Sequence, residues 1–113
     1  MARANAALLE RAVVNLVDNA IKYSGAGSEV VVGARRDEQG LVVTVQDRGS
    51  GIAPEHLLRI FERFYTVDKA RSRDQGGTGL GLAIVKHVAQ ALGGSVTVAS
   101  VVGAGSTFII RLP

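Results

Sequence analysis

The stretch Arg11–Tyr23, RAVVNLVDNAIKY, constrains the fold most. Val13, Val14, Leu16, Val17, Ala20 and Ile21 recur at helical spacing and predict one apolar arc. Asn15, Asn19 and Lys22 follow at i, i+4 and i+7, so they stack on the other face. Asparagine is a mediocre helix former, because its amide competes for backbone hydrogen bonds. Two in line on so apolar a helix ask for a reason. A solvated polar face is one. Ligation is another, because an amide oxygen is a neutral, hard ligand suited to a Mg²⁺ that keeps waters and phosphate oxygens. The helix by itself leaves both open.

The chain has 113 residues, which suits one domain with one core. Apolar residues make up 47% of it, which argues against disorder. No apolar run reaches the length of a membrane span, and no signal peptide is expected at Met1. The absence of cysteine excludes disulfides and thiolate metal sites and fits a cytosolic domain. A net charge of +3 invites an anionic partner: nucleotide, nucleic acid or membrane surface. The basic residues concentrate in Arg59–Arg73, which points to a local anion site.

Along the chain, Met1–Asn5 is expected to fray and Ala6–Tyr23 to form the opening helix. Ser24–Ser28, with Gly25 and Gly27, ends it. Valine-rich Glu29–Arg36 predicts a strand, Asp37–Gly40 a hairpin turn and Leu41–Gln46 the returning strand. Pro54 opens a short helix to about Arg63. Phe64–Gly77 has no clean period and carries Asp68, Lys69, Arg71, Arg73 and Asp74, as functional or mobile loops do. Leu80–Leu92 predicts a second amphipathic helix, stopped by Gly93 and Gly94. Ser95–Ser100 and Ser106–Leu112 alternate as strands. This order predicts an α+β fold, a two-layer sandwich with helices on one face of a sheet.

Asp47 ends a strand and enters the glycine loop DRGSG. A carboxylate there can accept a hydrogen bond from an exocyclic amine, and glycines at 49 and 51 let backbone approach a flat ring. A strand-terminating aspartate in a turn has the same pattern. Gly76-Gly77-Thr78-Gly79-Leu80-Gly81-Leu82 opens a helix, where backbone N–H groups bind phosphate. It lacks the preceding strand of a dinucleotide fingerprint and the Gly-Lys-Ser/Thr of a P-loop. Phe61, Phe64 and Tyr65 are expected to anchor the following segment on the core. Arg71 and Arg73 could reach a terminal phosphate or remain solvated charges. His56 and His87 are isolated on their helices and are expected to serve packing or solvation.

In this order, NLVDNAIKYS, DRGSGI, IFERFY and GGTGLGLAIVK resemble the N, G1, F and G2 boxes of the catalytic ATP-binding domain of sensor histidine kinases, in the gyrase/Hsp90-type ATPase superfamily. GAGSTFIIRLP resembles the closing strand, so the resemblance runs from about Leu8 to Pro113. It implies a Bergerat-type sandwich, a mixed and mostly antiparallel sheet under helices with a mobile ATP lid over about Phe64–Gly77. Carried over by position, Asn19 is the Mg²⁺ ligand, Asn15 stands beside metal and phosphates, Lys22 approaches a phosphate and Tyr23 lines the nucleotide. Asp47 accepts the adenine amino group, in a pocket shaped by Gly49, Gly51 and Ile52. Gly77, Thr78, Gly79, Leu80 and Gly81 hold phosphates. Such kinases move the γ-phosphoryl of ATP to a histidine on a separate dimerisation domain, and a response regulator takes it to an aspartate. The resemblance further implies a monomeric cytoplasmic domain, whose parent can be anchored in the inner membrane, and no nucleic-acid partner.

Three departures qualify this expectation. The acceptor histidine segment is not in this chain, which is therefore not expected to phosphorylate itself. The strand that the family places before the first helix is absent or reduced to Ala2–Asn5. Thr66 stands where the family often has arginine, which leaves Arg71 as the guanidinium for the γ-phosphate. Other readings are an ATP-hydrolysing or serine-kinase relative, or a non-catalytic interaction module. Hydrolytic relatives activate water with a glutamate near the position of Asn15, and an amide cannot accept that proton. A nucleic-acid module needs aromatics among its basic residues, and Asp68–Asp74 has none.

Overall fold

Helix α1 runs from Arg3 to Ser24 in a computed structural model that describes residues 3–24, 29–57, 59–62 and 81–113. Arg3–Asn5 are helical, so that stretch is neither a frayed end nor a reduced strand. Ala12, Leu16 and Ala20, one turn apart, are buried, and Leu9, Val13 and Val17 pack beside them. Val14 and Ile21 are 51% and 58% exposed, so the apolar arc read from the sequence is too wide. One helix face is already filled by the other six, and Val14 lies about 200° round the axis from Ala12.

The strands are β1 (Val30–Asp37), β2 (Gly40–Asp47), β3 (Ser95–Val101) and β4 (Gly105–Leu112). Their order across the sheet is β1-β2-β4-β3, and the described pairings are antiparallel. The short helix α2 spans Pro54–Leu57, and α3 spans Gly81–Ala91. The fold is thus α+β. The expected helix from Pro54 to about residue 63 is shorter, because Arg59–Glu62 lie in turns. The expected lid, residues 64–77, lies outside the described residues.

Side chains alternate across a strand, so one sheet face takes every second residue. On the inner face Val98, Phe108 and Val45 form one cross-strand row, and Val96, Ile110 and Val43 the next. Helix α1 covers this face over β2, and α3 covers it over β3. Val85, Val88 and Ala89 are the buried residues of α3. Phe61 meets the Phe108 ring edge-to-face, at 6.1 Å between centroids, so the aromatic anchor expected after α2 is present for this residue. Phe64 and Tyr65 lie outside the described residues.

The β1–β2 hairpin is closed by Asp37, whose Oδ1 accepts the N–H groups of Gln39 and Gly40 at 2.9 and 3.1 Å. Arg35 and Arg111 reach Oδ2 of the same carboxylate at 3.4 and 3.3 Å. Both arginines are register partners of Val42, which is 2% exposed although it faces away from the core. Their stems cover it while their heads stay in water.

Two outcomes follow from this packing. Leu16→Ala should cost about 2–5 kcal/mol in denaturant unfolding, and Ile21→Ala no more than about 0.5 kcal/mol. Similar losses for both would show that the helix is rotated from this orientation. The Gln39 N–H, and after it Arg111, hold the Asp37 carboxyl below its ordinary 3.8. Its stabilisation is then complete above that value and is lost as pH falls through the lower, folded-state value. Asp37→Asn should melt below the parent near neutral pH, and the gap should close on acidification. A gap independent of pH would remove Asp37 from the hairpin's stability.

Candidate nucleotide site

Asp47 is the last residue of β2 and is 6% exposed. Its Oδ1 accepts the Gly49 N–H at 2.8 Å, the local turn that aspartate forms two residues along. The turn reading and the acceptor reading therefore coexist, because a carboxylate has a second oxygen. Among the described residues no donor meets Oδ2.

The loop after Asp47 is braced on the β3–β4 hairpin. Ser50 carbonyl accepts the Gly103 N–H at 2.8 Å, and Ser100 Oγ accepts the Ile52 N–H at 2.7 Å. Gly51 has φ 76°, and a β-carbon there would collide with the Val101 carbonyl. The structure thus gives Gly51 a reason other than approach to a ring: the neighbouring backbone leaves no room. Gly105 has φ 126°, and a β-carbon there would strike the Asp47 carbonyl. Ile52 packs against the core, so Asp47, Gly49, Gly51 and Ile52 are held together where the braced loop leaves β2.

Asn15 and Asn19 lie one turn apart on α1, beside the buried Leu16 and Ala20, and both are partly exposed. Helix α3 packs along α1 and begins beside Asn15, whose Oδ1 stands 3.8 Å from where a β-carbon on Gly81 would lie. Asn15 and Gly81 are thus brought together. Chain connectivity also limits the separation of Asn19's end of α1 from Asp47. Ser24 and Val30 are at most about 20 Å apart, and Val30 is the cross-strand partner of Asp47. Gly77, Thr78, Gly79, Leu80 and Arg71 lie outside the described residues, as do the side chains of Lys22 and Tyr23. The described residues contain no group of three His, Cys, Asp or Glu side chains able to hold a metal. The amide oxygens of Asn15 and Asn19 are hard, neutral donors of the kind that suits Mg²⁺.

Sequence reasoning missed Ser100 and Ser106. Ser106 is 5% exposed and is the register partner of both Asp47 and Ser100. The available signal was parity: Ser100 continues Val96 and Val98, and Ser106 precedes Phe108 and Ile110, on the inward face.

The glycines separate two costs. Gly103 also has positive φ, but a β-carbon there meets nothing within 4 Å. Gly103→Ala should carry backbone strain alone, about 1–2 kcal/mol. Gly105→Ala should cost clearly more in the same denaturant titration, because the Asp47 carbonyl must also move. Equal costs would show that this close approach does not exist in solution.

Comparison with known proteins agrees with the geometry. The profile of the histidine kinase-, DNA gyrase B- and HSP90-like ATPases matches residues 4–113. Sensor-like histidine kinase SenX3 of Mycobacterium tuberculosis is 56% identical over 106 residues, 94% of this chain. Sensor protein SrrB of Staphylococcus aureus is 46% identical over 105 residues, 93% of this chain. The chain spans 26% of the length of the former and 18% of the latter. The mycobacterial sensor histidine kinase MprB superposes with TM-score 0.80 at 36% identity, covering 95% of this chain and 70% of that one. Full-length ShkA in complex with AMPPNP superposes with TM-score 0.78 at 36% identity, covering 90% of this chain and 20% of that one. The sheet order, the braced aspartate loop and this match across nearly every residue together place the chain in the histidine kinase-, DNA gyrase B- and HSP90-like ATPase family.

Proposed function

We propose that this chain is the nucleotide-binding catalytic domain of a two-component sensor histidine kinase. It binds Mg-ATP and donates the γ-phosphoryl to a histidine on a separate dimerisation domain, from which a response regulator is phosphorylated. The observation that carries the reading is Asp47, a buried carboxylate with one oxygen unpartnered among the described residues, held at the end of β2 by a braced glycine loop. Family membership and the AMPPNP bound to the structural relative ShkA support a nucleotide as the ligand. The domain works on the cytoplasmic side, where ATP is available. Among the described residues no helix is long and apolar enough to cross a membrane.

In this reading Asp47 accepts from the adenine amino group, and Gly49, Gly51 and Ile52 shape the slot around the base. Asn19 is the metal ligand and Asn15 stands beside the phosphates, near the first turn of α3, where N–H groups favour anions. Gly77, Thr78, Gly79, Leu80 and Gly81 extend that phosphate cradle, Lys22 and Tyr23 border it, and Arg71 meets the γ-phosphoryl. Bound Mg²⁺ supplies charge neutralisation on the phosphate oxygens. The residues contribute position and charge rather than covalent chemistry, as in other phosphoryl transfers. Asn15 in place of a carboxylate leaves water without a base, which favours transfer over hydrolysis.

Titration calorimetry with ATP, with and without Mg²⁺, tests the assignment. Asp47→Asn puts an amide where a carboxylate accepted, and a lost buried hydrogen bond costs about 1–3 kcal/mol. Affinity should fall roughly ten- to hundredfold, with or without metal. Asn19→Ala should weaken binding only when Mg²⁺ is present, and should slow transfer to an added dimerisation domain. No ATP binding at millimolar ligand would overturn the kinase reading. An unchanged metal dependence in Asn19→Ala would release that residue from its role.

A further inference from the structure

The inner face of the sheet changes character at its last row. Two residues beyond Val98, Phe108 and Val45, the cross-strand partners are Ser100, Ser106 and Asp47. The hub of this polar row is the Ser100 hydroxyl. It lies 2.7 Å from the Ile52 nitrogen, 3.1 Å from the Gly105 carbonyl oxygen and 2.8 Å from Ser106 Oγ. A hydroxyl has one proton and two lone pairs. The three contacts hold together in one way only. The Ile52 N–H and the Ser106 O–H donate to Ser100 Oγ, and Ser100 donates to the Gly105 carbonyl. The Ser106 proton is thereby committed, and its oxygen offers only lone pairs beside the Asp47 carboxylate.

We infer that Ser100 is a positioning residue that sets base specificity. It fixes the loop at Ile52 and keeps the row of Ser106 and Asp47 a set of acceptors. Acceptors side by side favour a base that presents an amino group and repel one that presents a carbonyl oxygen at the same edge. At C6 adenine carries an amino group and guanine a carbonyl oxygen. The inference rests on the reading of Asp47 as the acceptor of the base. Ser100→Ala frees the Ser106 proton, which can then turn toward a carbonyl. Ser100→Thr keeps a hydroxyl at the hub.

The experiment is calorimetric titration of the 113-residue chain and its variants with ATP and with GTP, alongside thermal melts. The ATP-to-GTP affinity ratio should fall about three- to tenfold in Ser100→Ala and stay within about twofold of the parent in Ser100→Thr. A lowered melting temperature with an unchanged ratio in Ser100→Ala would make the hydroxyl merely structural and overturn the inference. Asp47→Asn separates the two levels. If it collapses the ratio while Ser100→Ala does not, the Asp47 reading stands and the Ser100 role falls. If it leaves the ratio unchanged, both fall. Should Ser100→Ala fail to fold, amide exchange in the parent decides. Ile52 N–H should exchange as slowly as the core strands, and exchange at the rate of an open loop would overturn the inference.

Discussion

Two stretches of backbone meet with no side chain between them, and the site depends on that approach. Gly105 lies against the carbonyl of Asp47, and Gly51 against the carbonyl of Val101. The β3–β4 hairpin and the loop after β2 are locked at a separation that any β-carbon would widen. The lock falls where the inner sheet face turns from Phe108 and Val45 to Ser106 and Asp47. Buried polar groups are costly unless they are hydrogen-bonded. Here the loop N–H groups of Gly49 and Ile52 supply the bonds. A polar row one step deeper would face Phe61 and the helices instead, with no loop to bond it.

Helix α1 belongs to both halves of the molecule. Ala12, Leu16 and Ala20 are its buried row and set its rotation on the sheet. Asn15 and Asn19 precede Leu16 and Ala20 by one residue each, so the packed row and the amide row turn together. Rotamers held by a rigid element keep a site precise, which a loop cannot do as well.

Much of this could be read from the residues. Alternation in Ser95–Ser100 and Ser106–Leu112 gave two of the strands, and Gly93-Gly94 gave the end of α3. The glycine loop after Asp47 is legible in DRGSG, but steric exclusion at Gly51 depends on a partner some fifty residues away that no local pattern reveals. Val14 and Ile21 were misplaced because an apolar residue on a helix reads the same whether or not a partner covers it. The end of α2 was overrun because a capping proline marks where a helix starts and not how far it runs. Ser100 and Ser106 were overlooked because serine at a strand end looks like turn chemistry until the register assigns it a face.

The pairing of β2 with β4 has a consequence for how such a domain can change over generations. Val45 lies opposite Phe108, so α2, α3, β3 and everything between Glu62 and Gly81 are enclosed by one long-range contact. The entropy of closing a chain segment grows only logarithmically, about 0.6 kcal/mol for each doubling of length. Once the sheet has closed this circuit, residues added to or removed from 63–80 scarcely alter the cost of closure. The enclosed stretch, with its own charges and glycines, is therefore open to rewriting at little expense to the frame. Lineages can diverge there while inheriting the same sheet, the same first helix and the same clasp of glycines around Asp47.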